Sequence, residues 1–294
     1  MIISSFCFAS IAALIKFLNY IPLVEIIFFR NLPLIIFISF AIKKERISFL
    51  GKNKFWLSIR CIAAFLAVWG HTYTIRNMPI TNAVTIKQLV PFFIVIIAKI
   101  ILKERILKKQ VPIFFMAFFG VLLLTKPGFN LNFFPALIGI VSAIFSAMAH
   151  SALRQLRLSD HPHVIVFYYG AFNALMALII LFLGKFFVTP NFLDSIVLLL
   201  IGLLNLLSQI TLARAYKLAP ANLVSQYMYS QIVFVFIFGI IFFNEVPNLL
   251  SSIGSIIIIL SGYFNYKVKL AYFGRIRTLF PVTSGQRFGI IRTA

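Results

Sequence analysis

Ten long runs of apolar residues, separated by charged residues, proline, glycine and asparagine, constrain this sequence more than any other feature. A helix needs about 20 mostly apolar residues to cross a bilayer. The runs lie near Ile3–Tyr20, Leu23–Ile42, Phe55–Ile75, Ile80–Leu102, Val111–Thr125, Phe134–Leu153, His163–Leu183, Ile196–Tyr216, Ala221–Phe243 and Leu249–Tyr266. Because 62% of the residues are hydrophobic and only 11% are charged, a soluble fold would have too few charges to cover its surface. The sequence therefore predicts an all-α integral membrane protein with ten transmembrane helices.

The positive charges are distributed unequally between the predicted loops. Lys and Arg number 27 against 6 Asp and Glu, which gives a net charge of +21. With the N-terminus in the cytoplasm, 19 of the 27 fall in inward loops or the C-terminal tail and 3 fall in outward loops. Since cytoplasmic loops carry this excess, we expect a multi-pass protein with both termini cytoplasmic and no nucleic-acid partner. The Ile-, Phe-, Lys- and Asn-rich composition favours a bacterial cytoplasmic (inner) membrane.

The two halves of the chain share a pattern of a basic residue, a proline and a glutamate with the same spacing. The first set is Arg76, Pro79 and Glu104, and the second, 141 residues later, is Lys217, Pro220 and Glu245. Each half contains five apolar runs, and because that number is odd the second copy must insert upside down. This predicts two inverted five-helix repeats, over residues 1–128 and 129–266. Such repeats are typical of alternating-access transporters, whose site lies between the halves near the bilayer midplane.

A basic cytoplasmic tail, residues 267–294, is expected after the second repeat. It contains six Lys or Arg and no acidic residue. Two interpretations stay open, a disordered tail and a segment, Lys267 to Phe273, that lies on anionic lipid headgroups. The disordered tail is favoured because blocks of like charge are usually disordered.

The motifs of both halves resemble the EamA family of the drug/metabolite transporter superfamily. The first match runs from Arg60 through Trp69, Met78-Pro79-Ile80 and Pro91 to Leu102-Lys103-Glu104, and the second from Ala215 through Pro220 and Tyr229-Ser230-Gln231 to Asn244-Glu245-Val246-Pro247. The resemblance implies ten helices, cytoplasmic termini and movement of small metabolites through a cavity between the repeats. It also implies family motif or structural roles for Arg60, Pro79, Glu104, Pro220 and Glu245.

Charged residues inside the apolar runs are the first candidates for lining that cavity, because a charge in hydrocarbon costs about 2.5–3.5 kcal/mol. Lys87 lies about two turns into the fourth run, too deep to reach water easily. Gln88 and Pro91 lie beside it, and the proline breaks a backbone hydrogen bond. For Lys16, reaching water at the outer end of the first helix competes evenly with a cavity role. Arg30 is a candidate that also matches a family arginine, and a local ion pair with Glu25 is the default interpretation.

Polar residues at helical spacing provide further cavity candidates. They are Trp69 and Tyr73, His150 with the serines at 142 and 146, Asn205 and Gln209, and Tyr227 and Gln231. Each pair or stripe lies on one helix face. Packing between helices and aromatic belts at the membrane interface explain them equally well.

Histidines raise the questions of metal binding and proton coupling. Asp160, His161 and His163 form a cluster in a cytoplasmic loop, but three ligands on a short turn favour a solvated loop over a metal site. His71 and His150 lie inside apolar runs and have an ordinary pKa suited to proton coupling. We expect neither a metal site nor a cofactor.

The sequence as a whole predicts a secondary active transporter that works by alternating access. The substrate classes are an amino acid, a nucleotide-derived compound or a sulfonium compound such as S-adenosylmethionine. A non-transporting membrane interaction or scaffold protein is the alternative. The sequence has neither H-E-x-x-H nor G-x-S-x-G, so we expect no enzyme. The expected partners are a small-molecule substrate and the lipid bilayer. Proton or ion coupling, a homodimer and the direction of transport stay open.

Overall fold

The structure of the protein is a computed structural model that describes residues 1–102, 108–125, 133–184, 187–218, 227–245 and 249–279. Within these ranges it contains eleven α-helices and no strand. They are α1 (Ile2–Phe17), α2 (Leu23–Lys44), α3 (Lys54–Asn77), α4 (Ile80–Lys87), α5 (Val90–Leu102), α6 (Val111–Thr125), α7 (Phe133–Leu156), α8 (Pro162–Gly184), α9 (Phe192–Leu218), α10 (Ser230–Phe243) and α11 (Leu249–Leu279). Short 3₁₀ helices lie at Lys108–Gln110 and Tyr227–Tyr229. The all-α prediction is confirmed for the described residues.

Seven segments are long and apolar enough to cross a membrane, so the chain is a multi-pass integral membrane protein. One of them, Ile80–Ile97, extends over α4 and the first part of α5. Three shorter apolar helices, Ile2–Phe17, Val111–Gly120 and Ser230–Phe243, accompany these segments. Large apolar side chains such as Phe40, Phe115 and Phe182 are exposed on the bundle surface, as expected where the solvent is lipid.

The predicted fourth helix is interrupted, so the prediction of one continuous helix over Ile80–Leu102 is wrong. α4 ends at Lys87 and α5 begins at Val90. Pro91 explains the break, because it has no N–H to donate to the carbonyl of Lys87 and its ring clashes with that carbonyl. The chain tightens instead, and the N–H groups of Gln88 and Leu89 donate to carbonyls three residues earlier, each at 3.0 Å.

One other predicted end differs from the structure, and another lies outside the described residues. The last helix continues beyond Tyr266 to Leu279, so the expectation of a disordered tail is wrong for the first part of residues 267–294. The ninth run was predicted from Ala221, whereas residues 221–226 lie outside the described residues and α10 begins at Ser230. Glu104 and Pro220 also lie outside the described residues.

The most extensive helix contacts join the first half of the chain to the second. α3 packs on α7, α6 on α11, α2 on α8 and α9, and α1 on α9 and α10. α5 with α4 packs on α7, α4 also contacts α10, and α3 contacts α8. If α4 and α5 are counted as one span, each span has a counterpart five places away in the chain. Replacing both spans of any of these contacts by their counterparts gives another contact of the same set.

Glycine allows close approach of the helices in two of these pairs. A Cβ atom added at Gly120 on α6 would lie 2.9 Å from the carbonyl oxygen of Gly254 on α11. At Gly239 on α10 the nearest atom would be the hydroxyl oxygen of Thr81, at 3.2 Å. Small residues allow helix backbones to approach in membranes, and at Gly120 the backbone itself is the neighbour.

Candidate functional site

A cavity of about 80 Å³, lined by apolar side chains and by several charged and polar ones, lies between the two halves of the bundle. Side chains of α1, α2, α3 and α4 line it from the first half, and side chains of α7, α8 and α9 line it from the second, with Met228 and Gln231 near the start of α10. Three of the lining residues are cations, Arg30, Arg60 and Lys87. Phe8, Ile11 and Ile15 provide an apolar wall.

Arg30 reaches the cavity from α2 and is 5% exposed. Its Nη2 donates to Oδ1 of Asn205 on α9 at 2.8 Å, and Nδ2 of Asn205 donates to the Arg30 carbonyl oxygen at 3.2 Å. The default ion pair with Glu25 is wrong, since Glu25 accepts the backbone N–H of Val188 at 3.1 Å instead. Nε of Arg30 has no hydrogen-bond partner among the described residues. An amide therefore orients this guanidinium and leaves its charge unneutralised.

Arg60 lies one helix away, on α3, and is also 5% exposed. Its Nη2 donates to Oε1 of Gln209 at 3.3 Å, and its guanidinium carbon lies 5.1 Å from the ring centroid of Tyr169. Nε again has no partner within the described part of the chain. An amide and an aromatic face hold this second cation, again without a carboxylate.

Lys87 is the last residue of α4, directly at the break before α5. Its Nζ lies 5.1 Å from the ring centroid of Phe8 on α1. Within the described ranges no carboxylate pairs with it. Because α4 stops here, the side chain extends from a helix end into the cavity.

Neutral polar groups complete the wall. His150 and Gln231 are 8% and 2% exposed, and Nδ1 of His150 and Nε2 of Gln231 have no hydrogen-bond partner among the described residues. The His150 ring stacks on Tyr216 with centroids 5.7 Å apart and an interplanar angle of 15°. His71 lines the same space. Buried polar atoms without partners are rare in proteins, and these two belong to residues that line the cavity.

Five of the predicted cavity candidates lie in this wall, namely Lys87, Arg30, His150, Gln209 and Gln231. Asn205 lies behind it, where it holds Arg30. Gln88 is buried next to Lys87 without lining the cavity, and Pro91 acts through the helix break. The side chain of Tyr227 lies outside the described part. Whether these residues bind a substrate stays a prediction.

Three predicted candidates lie away from the cavity. Trp69 packs edge-on against Phe65 with centroids 5.6 Å apart, and Tyr73 packs against Phe134 at 6.4 Å. Lys16 pairs with Glu245. Aromatic packing and ion pairing therefore account for all three.

Glu245 ties three helices together at one end of the bundle. One carboxylate oxygen pairs with Lys16 at the end of α1, and the other accepts the N–H of Ile80 at 2.8 Å. Ile80 is the first residue of α4 and follows Pro79, so the carboxylate lies at the positive end of the helix dipole. Arg76 donates nearby to the carbonyl oxygens of Leu18 and Ile21. The Pro79 and Glu245 motif positions therefore meet in space.

Sequence reasoning did not place Arg60 or His71 in the cavity. Arg60 had only the structural role that the family resemblance implied, although a cation inside an apolar run is itself an indication of a cavity. For His71 the sequence indicates only a candidate for proton coupling. Both lie on the face of α3 that also includes Ala64 and Ala67, and these small side chains leave the space that the cations enter.

A second polar cluster lies in the loops at the other end of the bundle. Glu45, His161 and His163 have ligand atoms within 4.8 Å of one another, and Nδ1 of His163 lies 3.1 Å from Oε2 of Glu45. Asp160 accepts the N–H groups of Lys52 and Asn53, at 2.6 and 3.3 Å, with its two carboxylate oxygens. The expected solvated loop is thus a junction that joins the ends of α2 and α3 to the loop before α8.

Known proteins resemble this chain over most of its length. The model of the EamA-like transporter family matches residues 1–126 and 133–266. The pseudopaline exporter CntI of Pseudomonas aeruginosa is 29% identical over 263 residues, which cover 88% of this chain and 92% of that protein. The S-adenosylmethionine uptake transporter of Rickettsia prowazekii is 24% identical over 242 residues, 80% of each chain. A solved crystal structure that is 16% identical shares the fold with a TM-score of 0.62, covering 89% of this chain and 95% of that one.

Proposed function

The chain belongs to the EamA-like transporter family, and from this we propose that it is a secondary active transporter that moves a small metabolite across the membrane by alternating access. The observation that carries the proposal is the cavity between the two halves, with three cations on the first half and two amides and an imidazole on the second. Intramembrane cations are costly and normally mark a substrate or ion pathway.

Two inverted repeats, over residues 1–128 and 129–266, provide the moving parts in this proposal. The helix contacts are preserved when each span is exchanged with the one five places later. The two separate matches of the family model also support the division. Rocking one repeat against the other would open the cavity to each side in turn. The charge bias of the loops supports ten spans with both termini in the cytoplasm.

The names of the relatives indicate which substrates to test first. Relatives are named as an exporter of pseudopaline and an uptake transporter of S-adenosylmethionine, so both directions of transport belong in the assay. The second name agrees with the sulfonium class predicted from the sequence. The expected amino acids and nucleotide-derived compounds complete the panel.

The test is uptake and counterflow in proteoliposomes that contain the purified full chain. We expect one substrate to accumulate saturably, and Lys87→Ala to lower the rate at least tenfold, because a charged hydrogen bond contributes about 1.5–3 kcal/mol. Lys217→Ala removes an exposed lysine from the last turn of α9 and is the matched control. Folded protein without transport of any compound would overturn the proposal and favour the scaffold interpretation.

A further inference from the structure

We infer that the cavity selects an organic anion with at least two negatively charged groups. This inference names the substrate class of the proposed transport site and therefore rests on the proposed function. It follows from the charges that line the cavity, from the neutral character of their partners and from the division of these groups between the two halves.

The cavity has an excess of positive charge that nothing in the described chain balances. Arg30, Arg60 and Lys87 line it, and no carboxylate does. The chain has six acidic residues, and Glu104 lies outside the described residues. The other five are bound elsewhere, at helix ends and in loops: Glu25, Glu45, Asp160, Asp194 and Glu245.

The partners of the three cations hold them in place without neutralising them. Arg30 and Arg60 each donate to a side-chain amide, and Lys87 lies over the Phe8 ring. A buried charge without an opposite charge is costly, and in proteins such charges are paired or bind a charged ligand. An anionic occupant would supply the missing opposite charge. Nε of each arginine has no hydrogen-bond partner among the described residues, and a guanidinium is a side chain well suited to bind a carboxylate or phosphate group.

The two halves of the bundle offer different chemistry to one occupant. All three cations belong to α2, α3 and α4 of the first half. The second half offers the neutral groups of His150, Gln209 and Gln231. An occupant therefore has its anionic groups toward the first half and neutral polar groups toward the second. The apolar wall of α1 suits a short hydrocarbon body.

Carboxylates and phosphates share this chemistry, because a guanidinium binds both in two-pronged fashion. The test therefore includes one carboxylate probe and one phosphate probe. The probes are tricarballylate with its uncharged triamide, and fructose 1,6-bisphosphate with fructose. Spermidine serves as the cationic probe.

The first measurement is the thermal unfolding midpoint of the purified full chain in lipid nanodiscs with each probe. We expect an anionic probe to raise the midpoint and its uncharged partner to leave it unchanged. The carboxylate and phosphate arms decide between the two anion types. If spermidine or an uncharged compound raises the midpoint, the inference is wrong. It is also wrong if neither anion raises the midpoint at millimolar concentration.

Charge-removing variants assign the effect to the cavity. Arg30→Gln and Arg60→Gln should each weaken binding of the effective anion about tenfold or more, because each removes a charged hydrogen-bond donor. Arg60→Lys keeps the positive charge and should retain part of the affinity for the anion. This variant provides the test at position 60 if Arg60→Gln lowers the yield of folded protein. Lys217→Gln removes an exposed charge and should bind as the parent does. Equal affinity in parent and all arginine variants would contradict the inference.

Counterflow in proteoliposomes separates this inference from the proposed function. Anion binding without any transport would leave the charge preference standing and overturn the transporter proposal. Saturable transport of a neutral or cationic compound, with anions neither transported nor inhibitory, would overturn the inference and leave the transporter proposal standing.

Discussion

Arg30 is positioned by an amide, and this choice of partner has consequences for both stability and binding. Asn205 accepts from the guanidinium and also donates to the Arg30 carbonyl oxygen. A carboxylate at that position would also have accepted from the guanidinium, but it would have neutralised the arginine and could not donate to its carbonyl oxygen. The amide keeps the positive charge available to whatever occupies the cavity.

Replacing Asn205 should therefore destabilise the fold. Asn205→Leu leaves a buried guanidinium and a buried carbonyl without their partner, and we expect a loss of about 1–3 kcal/mol in the free energy of unfolding. Thermal or denaturant unfolding in detergent measures it. Asn77→Leu is the control, because Asn77 is exposed and bonds only within its own helix, to the Tyr73 carbonyl oxygen. Equal losses in both variants would contradict the role assigned to Asn205.

The loop histidine His161 should make stability depend on pH. Burial first, then the nearby charges of His163 and Lys217, lowers its pKa below the ordinary 6.5, and Glu45 opposes this. Since the folded state then binds fewer protons than the unfolded state, its stability falls as the pH drops below about 6.5.

The check is the unfolding midpoint between about pH 8 and about pH 5 for the parent protein and for His161→Gln. The variant should show a smaller decrease at low pH, because the group that gains a proton on unfolding is gone. Parallel curves for the two proteins would remove His161 from the explanation.

Residue identity alone predicted five of the residues that line the cavity and missed others, among them Arg60 and His71. Cations inside apolar runs are costly wherever they lie, so Arg30 and Lys87 could be recognised without a structure. Depth and orientation cannot be read in this way. Lys16 is satisfied by Glu245, a residue 229 positions away, and the stripes of Trp69 and Tyr73 pack against phenylalanines. Periodicity defines a helix face without saying which neighbour that face meets.

At the scale of helices, the break between α4 and α5 determines where Lys87 points. Pro91→Ala restores a donor for the Lys87 carbonyl and should allow one continuous helix. We expect the transport rate to fall by roughly tenfold, since a displaced binding group loses its productive geometry, while the unfolding midpoint stays equal or rises. Pro112→Ala is the matched control, because Pro112 lies in the first turn of α6, where no N–H is needed. Full transport activity in Pro91→Ala would show that the break is dispensable.

The contact of α6 with α11 should be sensitive to a single methyl group. Gly120→Ala places a Cβ atom 2.9 Å from the Gly254 carbonyl oxygen, so the two backbones must separate. Overpacking of this kind costs about 1–3 kcal/mol, measured as a lower unfolding midpoint. Gly239→Ala meets the Thr81 hydroxyl at 3.2 Å, which can rotate, and should cost less. The reverse order would contradict the packing described.

Helix positions could be predicted well from apolar runs, and helix ends less well. Leu23, Val111 and Leu249 begin helices where the sequence predicts, because charges and prolines mark those boundaries. The extension of α11 to Leu279 could not be read from hydrophobicity. Lys, Arg and aromatic residues continue a helix after the apolar run ends, since most of them have adequate helix propensity.

At the scale of the whole molecule, the inverted repeat makes a prediction about sidedness. In a variant with Cys7 and Cys61 replaced by alanine, single cysteines at Asn77 and Lys217 should react with an impermeant reagent from opposite sides of the membrane. Both positions are exposed at helix ends, and both natural cysteines are buried. Labelling from the same side would exclude the inverted arrangement.

The packing of each half mainly on the other half also sets the order of events during synthesis. α1 begins at Ile2, while its most extensive partner, α9, begins at Phe192. At ribosomal speeds of roughly 5–20 residues per second, the first helix precedes that partner by roughly 10–40 s. During this interval its contact face, with Ser4 and the future cavity wall, meets only lipid or the insertion machinery. The nascent first half therefore lacks its most extensive helix partners until the second half is synthesised.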